Sequence, residues 1–259
     1  MLSKNQLKYV QSLHQKKFRQ QYGAFLVEGA KSVQEVLAAD FTVELLLATE
    51  AFHKENSRLT DRQRTPVEIA TVAELERAGT LESNNAAIAV VRTKENTPLV
   101  AEAGEIVLVL DDIRDPGNLG TILRIADWYG VRKILCSETT ADVYNPKVIS
   151  ASKGSFTRVS WWYGDIRSVL ETAAREPGFA AYGAFLDGQN VHSLSFGQGG
   201  YLVMGNESNG IRPEIGQFVT ERVTIPRFGD AESLNVGIAT AVLLDNWRRG
   251  LTNLSPALT

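Results

Sequence analysis

The chain has 259 residues, 44% hydrophobic and 22% charged, enough to bury one large core or two ordinary ones. A formal net charge of −3 excludes a general electrostatic grip on nucleic acid, though not a local basic patch. The only cysteine, Cys136, leaves no intramolecular disulfide and no cysteine zinc finger.

His14, His53 and His192 are scattered without HExxH-type spacing, so no metal is expected. No apolar run suits a signal peptide or a membrane span, and a cytoplasmic protein is expected.

Residues 1–27 carry Lys4, Lys8, Lys16, Lys17 and Arg19 and no acidic side chain. Ser3 and Gln6 have capping-box spacing, and Leu7, Val10, His14 and Phe18 follow at helical intervals. Such a basic helix is either a solvated face or an edge that contacts phosphates through Lys16, Lys17 and Arg19. A strand at 25–27, a helix at 29–39 and strands at 43–48 and 66–70 are expected next. Thr71 and Glu74 repeat the capping-box spacing before a short helix, and a strand at 86–91 completes a small α/β unit.

Residues 94–104 are polar, contain Pro98 and read as a linker. The expected division is therefore 1–93, a linker at 94–104, and a second domain at 105–259. The second domain opens on EIVLVL, a continuous apolar strand of the kind buried on both faces of a parallel sheet. Strands are expected at 131–136, 157–161, 179–185, 200–204 and 221–225. Helices are expected at 118–129, from Asn145-Pro146 onward, at 165–175 and at 233–249. This βαβα rhythm predicts an α/β domain built on a parallel sheet. The closing helix is apolar on most sides, so its own fold, a second subunit, or both should wrap it. Ser233 and Asn235 would lie at its buried mouth.

Three glycine-bearing loops follow three of these strands. In LDDIRDPGNLGTILRIADWYG, residues 110–130, Gly117 and Gly120 share a helix face with Arg124. Helical side chains lean toward the N-terminus, so Arg124 reaches toward the loop end of the sheet, where open α/β sheets bind ligands. Otherwise Arg124 is a surface residue paired with Asp127, and Gly120 serves close packing. LVMGNESNGIRPEI, residues 202–215, is a tight loop suited to hydrogen-bonding a nucleoside edge; the alternative is a plain turn with Glu207 facing solvent. The third loop is IPRFGDAESLN, residues 225–235. No GxGxxG follows a strand and no GxxxxGK[ST] occurs, so these are not the phosphate cradles of NAD or ATP enzymes.

Together, in this order, the loops resemble the SpoU/TrmH family of RNA ribose 2′-O-methyltransferases, in the SPOUT superfamily. DPGNLGTILRIADWYGV is similar to the first family motif, with Asn118 and Arg124 at its marked positions. LVMGNESNGI is similar to the second, with Gly205, Asn206, Glu207 and Gly210. IPRFGDAESLNVGIATAV is similar to the third, with Ile225, Pro226, Ser233, Leu234 and Asn235. Gly237 departs from the serine of many relatives. The N-terminal unit also resembles the ribosomal-protein-like substrate-binding domain of many members.

The resemblance implies a deep trefoil knot, a homodimer, an RNA substrate and S-adenosylmethionine as methyl donor. It implies cofactor contacts at Ala184, Gly205, Asn206, Ile225 and Leu234, and a catalytic set of Asn118, Arg124, Glu207, Ser233 and Asn235. Ribosomal RNA is the expected substrate. The alternatives are transfer RNA and a catalytically silent RNA-binding relative.

Overall fold

The computed structural model describes residues 2–251. Residues 252–259, the end of the expected second domain, lie outside the described residues. Contacts divide the chain into two units, Met1–Glu95 with Asp142–Arg158, and Asn96–Ala141 with Val159–Thr259.

The first unit begins with two helices, α1 (Lys4–Ser12) and α2 (Lys16–Tyr22). Ser3 and Gln6 form the expected capping box on α1. The expected single basic helix is broken at residues 13–15, where Gln15 takes an extended backbone and starts α2. Then come β1 (Ala24–Glu28), α3 (Ala30–Ala38), β2 (Val43–Ala48), α4 (Glu50–Glu55), α5 (Ser57–Gln63), β3 (Val67–Ile69), α6 (Val72–Ala78) and β4 (Ala87–Arg92). The four strands form one sheet in the order β1-β4-β2-β3. Thr71 and Glu74 close a capping box on α6, as their spacing predicts. Helices α4 and α5 are not evident from the sequence.

Asp142–Arg158 belongs to this unit although it lies well beyond the expected linker in the chain. It carries α8 (Pro146–Ser152), capped by Asn145. The Phe25 ring lies 4.6 Å from Tyr144 and 6.1 Å from Phe156. Arg19, on α2, donates from Nη2 to Asp142 Oδ2 at 2.7 Å, and Arg158 pairs with Glu35 at 2.5 Å. A segment that reads in sequence as an ordinary crossover therefore supplies part of the first unit's core.

The second unit holds β5 (Ile106–Leu110), α7 (Pro116–Trp128), β6 (Lys133–Cys136), β7 (Ser160–Tyr163) and α9 (Ile166–Ala173). It continues through β8 (Ala181–Asn190), β9 (Gly200–Met204), α10 (Pro213–Gly216), β10 (Glu221–Thr224) and α11 (Val236–Leu251). Its six strands are all parallel, in the order β10-β8-β9-β5-β6-β7. The parallel sheet is as predicted, and β5 is buried along its whole length, as its apolar run requires. Cys136 is a buried core residue.

Of the expected linker, residues 96–104 belong to this unit. Asn96 and Tyr163 exchange hydrogen bonds at 2.7 and 2.8 Å, and Lys133 donates to the Val100 carbonyl at 2.8 Å. Helices α7 and α11 run side by side in the same direction, with Thr121 beside Gly237 and Tyr129 beside Asp245. The far side of α11 meets the 191–199 connection. Trp247 is fully buried there, stacks on Phe196 at 5.0 Å and donates its indole N–H to the Gly197 carbonyl.

Candidate active site at the carboxyl edge of the second sheet

The ladders of four neighbouring strands end or break almost level. Leu110 of β5 pairs with Met204 of β9, Val203 with Gly183 of β8, and Gly183 with Arg222 of β10. Asp111 extends the ladder by one step, donating its N–H to the Met204 carbonyl at 2.8 Å. Beyond this edge lie the loops 111–115, 205–212 and 225–235, with an excursion of β8 at 184–188 where its register against β10 shifts. The carboxyl edge is where open parallel sheets bind ligands.

The 205–212 loop is folded on itself. A Cβ on Gly205 would fall 2.3 Å from Gly210 C and Ile211 N, so only glycine fits. Asn206 and Gly210 exchange backbone hydrogen bonds at 3.0 and 2.9 Å, and Gly210 takes φ +67°, a conformation that costs glycine little. Asn206 Oδ1 accepts from the Ser208 and Asn209 N–H groups, and its Nδ2 donates to the Asp112 carbonyl at 2.8 Å.

Helix α7 opens at Pro116 with Asp115 as its N-cap, whose carboxylate accepts the Asn118 N–H at 2.8 Å. Asn118 is therefore held in the first turn. Its Nδ2 donates to Glu207 Oε1 at 2.6 Å, and its Oδ1 accepts from Asn235 Nδ2 at 2.8 Å. Asn235 in turn caps α11, its Oδ1 accepting the Gly237 and Ile238 N–H groups at 2.9 and 3.4 Å. One residue from each of the three loops thus joins a single hydrogen-bonded chain.

Two aspartates brace this arrangement from β5. Asp111 is wholly buried, and its carboxylate accepts the Arg212 N–H at 2.8 Å and Nε–H at 2.7 Å. That pairing holds the Arg212 guanidinium above its ordinary pKa, against the opposing effect of burial. Asp112 takes φ +64°, donates its N–H to Ser137 Oγ, and accepts from Arg114 Nε at 2.9 Å. Burial works to raise the Asp112 pKa. Hydrogen bonds from Arg114 and Thr139, with the charges of Arg114 and Arg212, outweigh it and leave the carboxyl below its ordinary value. In sequence both aspartates look like simple strand ends, and Arg212 like any residue of a loop. The available signal is an acidic pair directly after a wholly apolar strand.

The remaining predicted residues are placed less tightly. Arg124 is exposed on α7 and makes no hydrogen bond or ion pair among the described residues, Asp127 included. Ser233 is exposed and also unpartnered among them. Helix α11 starts at Val236, and Ser233 and Asn235 are both exposed, so neither lies at a buried mouth. Ala184, Gly205, Asn206 and Ile225 are half-buried at the strand ends, and Leu234 is 49% exposed. Gly237 lets α11 approach α7: a Cβ there would lie 3.1 Å from Thr121 Cγ2.

Of the expected phosphate-gripping set, Lys16 and Lys17 are exposed. Arg19 is not available for that role. It is 3% exposed, bound to Asp142, and donates to the Leu13 and His14 carbonyls at 3.0 and 2.9 Å. Its burial follows from the break at residues 13–15, which turns α2 against the first unit's core.

The family model described as the SpoU rRNA methylase family matches residues 105–245, and the MRM3-like substrate binding domain matches residues 4–89. A Bacillus subtilis protein, 23S rRNA (guanosine(2553)-2′-O)-methyltransferase RlmP, is 29% identical over 95% of this chain and 97% of its own. A structure assigned to the TrmH family of RNA methyltransferases, from Porphyromonas gingivalis, superposes with a TM-score of 0.83 at 38% identity. That match covers 96% of this chain and 99% of the other. An AdoMet-bound rRNA methyltransferase from Sinorhizobium meliloti superposes with a TM-score of 0.87 at 25% identity, covering 99% and 97%.

Proposed function

The chain belongs to the SpoU rRNA methylase family, and on that premise we propose that it transfers the methyl group of S-adenosylmethionine to a ribose 2′-hydroxyl of ribosomal RNA. The observation that carries this reading is the chain Glu207–Asn118–Asn235, which ties the three motif loops together at the ligand-binding edge of the sheet. Ribosomal RNA is preferred because the similarity to RlmP and to the MRM3-like substrate binding domain extends through the N-terminal unit. A cytoplasmic location is part of the same proposal. Among the described residues no helix is long and apolar enough to cross a membrane.

The strand-end loops suit the cofactor. Ile225 and Leu234 offer apolar surface, and Ala184, Gly205 and Asn206 offer backbone groups at adjacent strand ends, the mixture that holds a nucleoside. Bound S-adenosylmethionine supplies an electrophilic methyl group. This chain must orient the ribose oxygen in line with it and stabilise the charge that develops as the hydroxyl proton leaves. Arg124 has the chemistry for the second task. A guanidinium stays protonated in proteins, so it acts as an oxyanion donor rather than as a base. Its lack of a hydrogen bond or ion pair among the described residues supports that role. Asn118, Glu207 and Asn235 hold the loops in register, and Ser233, exposed beside them, is a further donor to the ribose.

Residues 1–93 form the RNA-binding part, with Lys16 and Lys17 as phosphate contacts, and 94–104 lead into the methyltransferase part at 105–259. The segment Asp142–Arg158 serves the first part structurally. The trefoil knot belongs to the same proposal, supported by the 191–199 connection lying over α11. So does a homodimer. Trp128, Leu234 and Ile238 are 83%, 49% and 52% exposed on or beside α7 and α11, and a second copy would cover them.

Calorimetry with S-adenosylhomocysteine tests the reading first. Binding should persist in EDTA, and no detectable heat at millimolar ligand would sink it. Methylation mapping of ribosomal and transfer RNA from a deletion strain then identifies the substrate. A missing mark in transfer RNA alone would overturn the ribosomal assignment.

A further inference from the structure

We propose that Asp111 is a positioning residue of the site, acting through Arg212 to hold the 205–211 loop in its cofactor-binding shape. The inference rests on the methyltransferase reading for its cofactor but on geometry for its mechanism. Asp111 extends the central strand β5, which is buried throughout and so provides a fixed base. Both of its carboxylate oxygens are taken by Arg212, through the backbone N–H, Nε and Nη2, at 2.8, 2.7 and 2.6 Å. Arg212 forms the exit of the loop. The entry is held separately, by Asn206 donating to the Asp112 carbonyl.

Both ends of the loop are thus fastened to consecutive residues of one strand end. Gly205, a cofactor contact in that reading, immediately precedes the first fastener, and between the two lies Glu207, whose carboxylate accepts from Asn118. The two sides of the loop approach so closely that a Cβ on Gly205 would meet Gly210 and Ile211 at 2.3 Å. Arg212 cannot leave without stranding a fully buried carboxylate, which is strongly unfavourable. Among the described residues no other cation reaches Asp111. The single ion pair therefore governs two things at once: the shape that receives the cofactor and the position of Glu207.

The test compares wild type with Asp111→Asn and Arg212→Lys. Asparagine keeps the volume but turns an N–H₂ toward the donors of Arg212. Lysine keeps the charge and the backbone N–H while losing the guanidinium fork. Losing charge-assisted hydrogen bonds of this kind corresponds to about 10- to 100-fold in affinity. Asp111→Asn should weaken S-adenosylhomocysteine binding by that factor, and Arg212→Lys by less. The rate at saturating cofactor should also fall, and RNA affinity should hold. Without any ligand, amide hydrogen exchange at residues 205–211 should quicken while β5 and β6 keep their protection. If either folded variant binds S-adenosylhomocysteine as wild type does, with unchanged exchange in the loop, Asp111 is only a stabiliser of the fold and the proposal is overturned. Failure of wild type to bind would instead remove the methyltransferase reading, and the exchange measurement would still decide whether the latch exists. If Asp111→Asn does not fold, Arg212→Lys carries both measurements.

Discussion

Asn118 and Glu207 are 89 residues apart in the chain, yet Asn118 Nδ2 lies 2.6 Å from Glu207 Oε1. The orientation of that amide is fixed from both ends. An ionised glutamate only accepts, so Asn118 must present its N–H₂ to it. Its oxygen then faces Asn235, which must donate, and the Asn235 oxygen faces backbone N–H groups that only donate. Each contact in the row pairs a donor with an acceptor.

Replacing one member reverses that match. Asn118→Asp still offers Asn235 an acceptor but puts a carboxylate in place of the donor against Glu207. Turnover should fall by about 10²–10³ at neutral pH, the usual loss for one organised donor in a site. Two adjoining carboxylates raise the pKa of one of them, so part of the loss should return as the solution is made mildly acidic. Single-turnover methyl transfer across pH measures this. A loss that does not change with pH would show that the two side chains do not meet in the working enzyme.

The row is legible in sequence because each member lies in a short motif directly after a strand. The parallel sheet is legible for a similar reason, since runs such as EIVLVL admit few environments. What escapes depends on partners distant in the chain. Arg19 looks like any residue of a basic helix until Asp142, 123 positions later, is brought beside it. The aromatic contacts of Tyr144 and Phe156 with Phe25 likewise have no local signature. Helix α11 reads as buried on most sides because apolar composition does not say what supplies the cover. In the single chain, α7 and the 191–199 connection cover one part and leave Ile238 open.

That open face carries a prediction about assembly. Ile238→Glu places a charge where a second copy would pack, without disturbing the buried residues Leu243, Leu244 and Trp247. Wild type should sediment as a dimer at micromolar concentration and the variant as a monomer of 28.4 kDa. A monomeric wild type would dismiss the dimer.

Acid sensitivity should be traceable in part to Glu74. Backbone hydrogen bonds from Thr71 and Leu2, with the Thr71 hydroxyl, hold its carboxyl down to about 2 from 4.5. A depressed carboxyl contributes stability that is fully present above its unfolded pKa and is lost as the pH falls through the folded one. The window is therefore from about 4.5 down to about 2. Glu74→Gln should flatten the pH dependence of the denaturation midpoint in that window and lower the midpoint slightly at neutral pH. An unchanged slope would show that the cap does not persist in solution. Because Glu74 is only partly buried, the effect is small.

The basic residues of α2 should separate into two classes. Lys16→Ala with Lys17→Ala should weaken RNA binding. Each phosphate that the variant no longer neutralises should reduce the log–log salt slope by roughly 0.7–0.9. Cofactor affinity and melting temperature should hold. Arg19→Ala should instead lower stability by about 2–4 kcal/mol, the penalty for leaving Asp142 and two backbone carbonyls without their donor. Its RNA salt slope should match wild type. Filter binding at several salt concentrations, together with urea titration, distinguishes the classes. A change in salt slope for Arg19→Ala would mean that Arg19 leaves its pocket for RNA.

Arg124 offers the sharpest test of the chemistry, because no hydrogen bond or ion pair among the described residues depends on it. It is exposed and without an ion pair among the described residues, so its removal should not disturb the fold. If it stabilises the developing alkoxide, its contribution exists mainly in the transition state. Arg124→Ala should then lower kcat by about 10²–10³ while the Kd for S-adenosylhomocysteine and for RNA stays unchanged. Arg124→Lys preserves the charge but not the planar fork, so it should recover little of the rate. Raising the pH toward about 9 should not rescue either variant, since a guanidinium does not work by losing a proton in this range. The decisive measurement is single-turnover methyl transfer to native RNA, with both binding constants determined in parallel. Near-normal turnover of Arg124→Ala would make Arg124 a helix-surface residue and move alkoxide stabilisation elsewhere. A raised RNA Kd with unchanged kcat would make Arg124 a phosphate contact instead.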